Sequence, residues 1–237
     1  MKLIYTYLFV LFFFHCSSFS QTAQLDSLPV IYIPGIMGSP MYNDLNDDNK
    51  LTWNEKAWIG TEFGSMHTII EDSLGYQLDQ EHYRRFKESV DKAYLILYIA
   101  DNAGEIVFDR ILIEQLLQIK KLKIVFAVRE KPIINDATLD DAIQVGLNKL
   151  ATIISNGSGA PATILSQCSP EMLSYYRAAD LIVAKGQGNY ESLSDRSENI
   201  FFLLKVKCPV IARDSGYDID SPVLISSTAL KNGIGTG

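Results

Sequence analysis

Four polar clusters, each at the end of an apolar β-type run, hold the residues that could do chemistry. Tyr94–Ala100 (YLILYIA) runs straight into Asp101-Asn102-Ala103-Gly104-Glu105. Lys123–Val128 leads through Arg129 to Asn135-Asp136-Ala137-Thr138. Ala151–Ile154 ends in Ser155-Asn156-Gly157-Ser158, and Leu181–Ala184 in Lys185-Gly186-Gln187-Gly188-Asn189. In an open α/β sheet, ligands bind in the crevice beyond the carboxyl ends of the strands. Four such ends in one crevice bring together two carboxylates, an amide, a lysine and glycine-rich turns. That set suits a hard divalent cation and a phosphate.

Asp101 and Asn102 come directly off a strand and offer hard oxygen atoms. Asp136, from a different strand end, completes an oxygen-rich half-shell, so Asp101, Asn102 and Asp136 are the expected metal ligands. Lys185 places a cation beside a backbone nest at Gly186 and Gly188. With Asn156, Gly157 and Asn189 it forms the expected phosphate-binding set. Neither a P-loop nor a Rossmann fingerprint is present, because G-x-x-x-x-G-K-[ST] is absent and the third glycine is missing. Each cluster taken alone is also ordinary turn chemistry; their joint position at strand ends is what points to a site. Glu105 reads equally as a first-turn helix residue and as support for the metal ligands. Tyr190 and Glu191 read as a substrate wall or as caps of the next segment.

The elements that must position these residues alternate between strand and helix patterns over 66–213. This predicts an α/β fold: a three-layer, Rossmann-like, mostly parallel sheet with helices on both faces. Helices are expected at Glu81–Asp91, Glu105–Gln118 and Thr138–Leu150, the last with Leu139, Ala142, Ile143 and Leu147 on one face. Ser169-Pro170-Glu171 has the form of an N-cap, an N1 proline and an acidic first turn. Asn199–Val206 leans towards helix and Pro209–Arg213 towards a last core strand. After Asp214 the pattern weakens, and Lys231–Gly237 reads as a frayed tail.

The chain has 237 residues, 47% apolar and 21% charged, with a net charge of −7. An acidic chain argues against general nucleic-acid binding, which needs a basic face. The three cysteines, Cys16, Cys168 and Cys208, have no zinc spacing; the last two read as small buried apolar residues. Residues 1–20 have the form of an export signal: Lys2, the apolar core Leu8–Phe14, and Ser18-Phe19-Ser20 as a cleavage site. No later segment is apolar enough to anchor the mature chain in a membrane. Pro29–Ser39 (PVIYIPGIMGS) resembles the first strand and oxyanion loop of lecithin:cholesterol acyltransferase-type lipases, but no G-x-S-x-G elbow follows. His67 and His82 lie in polar surroundings, so a Ser-His-Asp triad has no support.

Five ordered motifs closely resemble the damage-control phosphatases with ARMT-like metal-binding domains. They are D-N-A-G-E-I-V-F-D-R at 101–110, I-N-D-A-T at 134–138, S-N-G-S-x-A-P at 155–161, A-K-G-Q-G-N-Y-E at 184–191 and F-F-L-L-K-x-K-C-P-V at 201–210. The resemblance implies hydrolysis of phosphomonoesters of small, reactive or damaged phosphometabolites such as sugar phosphates. It implies a divalent cation (magnesium, manganese, cobalt or nickel) on Asp101, Asn102 and Asp136, with Lys185 on the phosphate. The cation would polarise the phosphoryl group and activate water; Asp101 as an attacking nucleophile is the other route. Asp101, Asp136 and Lys185 are thus the expected catalytic residues. The family's helical amino-terminal domain is largely missing, which gives the expected division: 1–20 leader, 21–65 lipase-like piece, 66–213 metal-binding domain, 214–237 divergent tail. The leader predicts export or a periplasmic location, whereas the resemblance implies the cytoplasm. Two rival readings are a secreted lipase-like acyl hydrolase and an inactive phosphometabolite-binding remnant.

Overall fold

The computed structural model describes residues 78–228. The expected leader, the expected lipase-like piece and Lys231–Gly237 lie outside the described residues. Helix α1 (Gln80–Lys92) begins at Asp79, whose carboxylate accepts from the N–H groups of Glu81 and His82. Then follow β1 (Leu95–Ile99), α2 (Ile106–Ile119), β2 (Lys123–Val128), α3 (Leu139–Gln144), β3 (Thr152–Ser155) and α4 (Pro170–Ala178). The chain continues through β4 (Leu181–Lys185), α5 (Gly186–Leu193), β5 (Ile200–Lys205), α6 (Pro209–Ser215) and β6 (Pro222–Ser226).

These strands form one sheet in the order β3-β2-β1-β4-β5-β6. The first five pair in parallel and β6 pairs antiparallel with β5. Period-2 alternation divides the strand side chains between two cores. On one face Ile96, Tyr98, Phe126, Val183 and Phe201 pack against α1, α2 and α3 through Phe86, Ile113 and Ala142. On the other, Leu97, Val125, Ile182 and Phe202 pack against α4, α5 and α6 through Met172, Tyr190 and Ile211. The expected three-layer α/β architecture is therefore the observed one. The order reverses direction between β1 and β4, which makes that boundary the switch-point crevice.

Several local expectations are corrected. Ile200–Lys205 is a strand; β4 and β6 flank it and helices cover both faces, so its residues are apolar without alternation. Pro209–Ser215 is a helix with its proline at N1, where the missing N–H costs nothing. Residues beyond Asp214 supply β6, the sixth strand of the same sheet, so a tail starting at 214 does not describe them. The helix expected over 138–150 stops at Gln144. Gly146 turns left-handed at φ 77 and a short 3-10 turn follows, leaving Leu139 and Ile143 exposed. His82 is buried rather than polar in setting: its Nδ1 accepts the N–H of Ser226 and ties α1 to β6. Cys168 and Cys208 are unpaired and only half-buried. The Ser169 cap forms as expected, with Oγ accepting from Met172 N–H. Among the described residues, no helix is long and apolar enough to cross a membrane.

Candidate active site

The chain leaving β1 runs beside the chain that delivers Asp136. Ala137 N–H donates to the Asp101 carbonyl at 2.8 Å, and Ala103 N–H to the Asn135 carbonyl at 2.8 Å. Asn102 and Asp136 form a backbone bridge between them. The two acidic motifs, 34 positions apart by their numbers, are thus locked together by main-chain bonds. The turn before Asp136 carries strain: Ile134 is β-branched, 84% exposed and held at φ 50. Such backbone costs on the order of 1–3 kcal/mol and concentrates at functional sites.

From the other side of the switch point comes α5. A Cβ on residue 186 would lie 2.0 Å from Asp101 Oδ2, and φ there is +78°. Only glycine lets the backbone meet the Asp101 carboxyl at this distance. Gly188 plays a milder part, with its Cα side packed near Ala162. Both glycines stand in the first turn of α5, so the expected glycine nest is the start of a helix.

Asp136 is held by Arg129, whose Nε donates to Oδ2 at 2.6 Å with both side chains buried. Arg129 Nη1 donates to Thr163 Oγ1 at 3.1 Å and Nη2 reaches Asn189 Oδ1 at 3.5 Å. Thr163 donates to Asn189 Oδ1, while Asn189 Nδ2 donates to the carbonyls of Ala100 and Lys185. Both ends of the Asn189 amide are engaged, so its expected contact with substrate is replaced by a tie between α5, β1 and the 156–163 loop.

Lys185 departs most from expectation. Its Nζ donates to Asp109 Oδ1 at 2.7 Å and Glu105 Oε2 at 3.2 Å, and the residue is only 5% exposed. Tyr98 OH donates to the same Asp109 oxygen at 2.7 Å. Burial works to lower the Lys185 pKa, but Asp109 and Glu105 outweigh it and hold the ammonium above the ordinary lysine range. Alternation explains the placement. Leu181, Val183 and Lys185 share one face of β4, which is the α2 face, and Glu105 at the N-cap and Asp109 in the first turn of α2 stand four apart. The expected phosphate lysine is a buried counter-ion.

Asn156 and Gly157 lie beyond β3, two strands from β1. Asn156 Oδ1 accepts Ser158 N–H, while its buried Nδ2 has no partner among the described residues. Gly157 sits at φ +76 against Ser169. Neither touches the Asp101 cluster in the contacts described. Tyr190 is buried, with its hydroxyl donating to Asp214, and Glu191 accepts from Gln187; they act within and behind α5. A shallow groove of about 470 Å³ between α5 and α6, lined by Tyr190 and Asp214, lies apart from the acidic cluster.

Sequence reasoning passed over Lys207. It follows β5, is half-buried, and its charge works to lower the Asp101 pKa. Among the described residues Lys207 makes no ion pair. The signal was present as the second lysine of K-x-K after an apolar run.

Asp101 has one side-chain donor among the described residues, Asn102 Nδ2 at 3.1 Å. Burial foremost, then Glu105 and Asp136, push its carboxyl up to about 7, against Arg129 and Lys207. Asp101, Glu105, Asp109 and Asp136 face two buried cations, Arg129 and Lys185. With Lys207 counted beside Arg129 and Lys185, the four ionised acids still outnumber the cations around them. Asn102 gives its amide nitrogen to Asp101 and to Glu105 Oε1 (2.6 Å), so its oxygen is the end left for such a cation. Among the described residues no three His, Cys, Asp or Glu side chains form a ready cage. Asp101, Asn102 and Asp136 offer two carboxylates and one amide oxygen, a donor set that would suit a hard cation retaining water and substrate ligands.

A pH dependence follows. An unfolded aspartate titrates near 3.8. From about pH 4 to about 7 the folded state binds more protons than the unfolded state, so this group makes stability fall as pH rises. In metal-free buffer, Asp101→Asn should flatten that fall in urea midpoints. Equal slopes for variant and parent would contradict the burial of an ionisable Asp101.

Comparison with known proteins places the chain in a family. The model of the damage-control phosphatase ARMT1-like domain matches residues 63–222. An uncharacterized protein of Methanocaldococcus jannaschii is 38% identical over 198 residues, covering 76% of this chain and 65% of its own length. A damage-control phosphatase of Pyrococcus horikoshii is 44% identical, over 66% of this chain and 55% of its own. Another from Archaeoglobus fulgidus is 42% identical, over 54% and 45%. A crystal structure of a DUF89 family protein from Pyrococcus horikoshii superposes with a TM-score of 0.63 at 39% identity. That match covers 68% of this chain and 57% of the other. The chain thus spans about half to two thirds of the length of these relatives.

Proposed function

The chain belongs to the ARMT1-like damage-control phosphatase family, and from that membership we propose that it hydrolyses phosphomonoesters of small phosphometabolites at the β1–β4 crevice. Damaged or reactive metabolites, sugar phosphates among them, are the substrate class. Water forms the new P–O bond, the ester P–O bond breaks, and the alcohol leaves with a proton. The single observation that carries the reading is the Asp101 carboxyl seated on Gly186 beside Asp136, in a cluster where acids outnumber cations.

Asp101, Asn102 and Asp136 would hold a divalent cation, magnesium or manganese before cobalt or nickel given the all-oxygen donors. When bound, the cation supplies Lewis-acid polarisation of the phosphoryl oxygens. Arg129 keeps Asp136 in place through its Nε. Lys207, rather than the sequestered Lys185, is the ammonium offered to the phosphoryl oxygens as their charge shifts in the transition state. Gly186 keeps the floor of the crevice low enough for Asp101 to occupy it.

The test is a phosphatase screen of the full chain against sugar phosphates and other phosphomonoesters, with Mg²⁺ or Mn²⁺ added and then removed by chelator. Phosphate release that needs the cation is expected, and none from a carboxylic ester. Ligand binding without turnover would favour the inactive-remnant reading, and carboxylic-ester cleavage the lipase-like one. Lys207→Met should lower kcat/KM by about 10²–10³-fold, as loss of one oxyanion donor does, with the urea midpoint little changed. An unchanged kcat/KM would remove Lys207 from the phosphate site.

A further inference from the structure

Glu105 and Lys185 lie outside the set that would touch cation or substrate, yet both are buried directly behind it. Asn102 Nδ2 donates to Glu105 Oε1 at 2.6 Å, the shorter of its two bonds. Glu105 Oε2 accepts from Lys185 Nζ at 3.2 Å. Lys185 is itself fixed by Asp109, which Tyr98 holds from the sheet. A carboxamide has a donor end and an acceptor end, whereas a carboxylate only accepts and an ammonium only donates. Donor and acceptor therefore alternate without choice from Lys185 through Glu105 to Asn102. The outcome is that the nitrogen of Asn102 faces inward and its oxygen is turned away from both carboxylates.

We propose that Glu105 is a positioning residue for the cation, braced by Lys185, whose task is to fix the orientation of the Asn102 amide so that Oδ1 is the ligand. The proposal rests on the reading of Asp101, Asn102 and Asp136 as the cation's ligands. It assigns Lys185 to setting up the metal site from behind. Supporting hydrogen bonds of this kind typically change metal affinity by about 10–100-fold.

Glu105→Gln separates orientation from packing. Lys185 has only donors, so the carboxamide introduced by this substitution must turn its oxygen towards Lys185 and its NH₂ towards Asn102. Asn102 can meet that NH₂ only by flipping its oxygen inward, which removes Oδ1 from the cation. Mn²⁺ affinity, read by electron paramagnetic resonance titration of free Mn²⁺ without substrate, should fall about 10–100-fold. Glu105→Asp keeps the charge but withdraws the carboxylate, and should also weaken binding. In an Asn102→Asp background the side chain has two equivalent oxygens and no orientation to lose. There, adding Glu105→Gln should bring no further loss, a non-additivity that a merely structural role would not produce. Equal losses in both backgrounds, or unchanged affinity of Glu105→Gln, would overturn the positioning role and leave the metal site standing. If the unaltered chain binds no Mn²⁺, the metal reading and this inference fall together.

Discussion

Lys185→Met is expected to cost about 3–5 kcal/mol of folding stability, the penalty of removing one partner from a buried ion pair. The methionine fills much of the volume but leaves Glu105 and Asp109 facing each other without a cation. Asp109 Oδ2 already lacks a partner among the described residues, which offer no spare donor to take over. The loss should appear as a lower urea midpoint with an unchanged m-value, in the absence of substrate and metal. Lys207→Met is the control, since a half-buried, unpaired lysine should change stability by no more than about 0.5 kcal/mol. Together the two variants separate a lysine that holds the fold from one that serves the reaction. Parent-like stability of Lys185→Met would mean that the ammonium is free to leave the carboxylates, restoring it as a candidate phosphate ligand.

Gly186→Ala should abolish cation-dependent turnover. A Cβ placed 2.0 Å from Oδ2 and 2.2 Å from Cγ of Asp101 cannot be absorbed by small adjustments, so the carboxyl must leave its seat. Positive φ adds roughly 1–2 kcal/mol of backbone strain for any L-side chain. Asp101→Ala should abolish turnover as well, by removing the carboxylate directly. Combining the two discriminates between their causes. With Asp101 already shortened, the alanine at 186 loses its clash and should cost only the backbone strain. Mn²⁺ titration and thermal unfolding of the single and double variants measure both quantities. A Gly186→Ala protein with full activity would show that Asp101 does not need its place against α5.

Four of the six strands, the Ser169 cap and the meeting of Asp101-Asn102 with Asp136 were legible in the sequence. These rest on local rules: apolar runs bounded by turn formers, and polar residues at strand ends of a parallel sheet. The exchange of strand and helix between Ile200–Lys205 and Pro209–Ser215 was not legible. A six-residue apolar run packs equally well as either element until its neighbours are known. Here β4 and β6 on its two sides decide for strand. β6 itself gives little signal, because its five residues are all buried and show no period-2 alternation.

The sequence by itself determined that two carboxylates, an asparagine and a lysine stand at the ends of parallel strands. Only the tertiary structure decided what each of them touches. Lys185 ends one strand and Asp101 follows its direct neighbour, yet alternation turns the lysine towards α2, where Glu105 and Asp109 take it. Neither Arg129 nor Lys207 stands out by residue type, yet the first holds Asp136 and the charge of the second acts on Asp101. The physical reason is one of range. Backbone conformation is set largely by residues a few positions away, whereas a buried charge settles on whichever opposite charge the packed elements bring within about 3 Å.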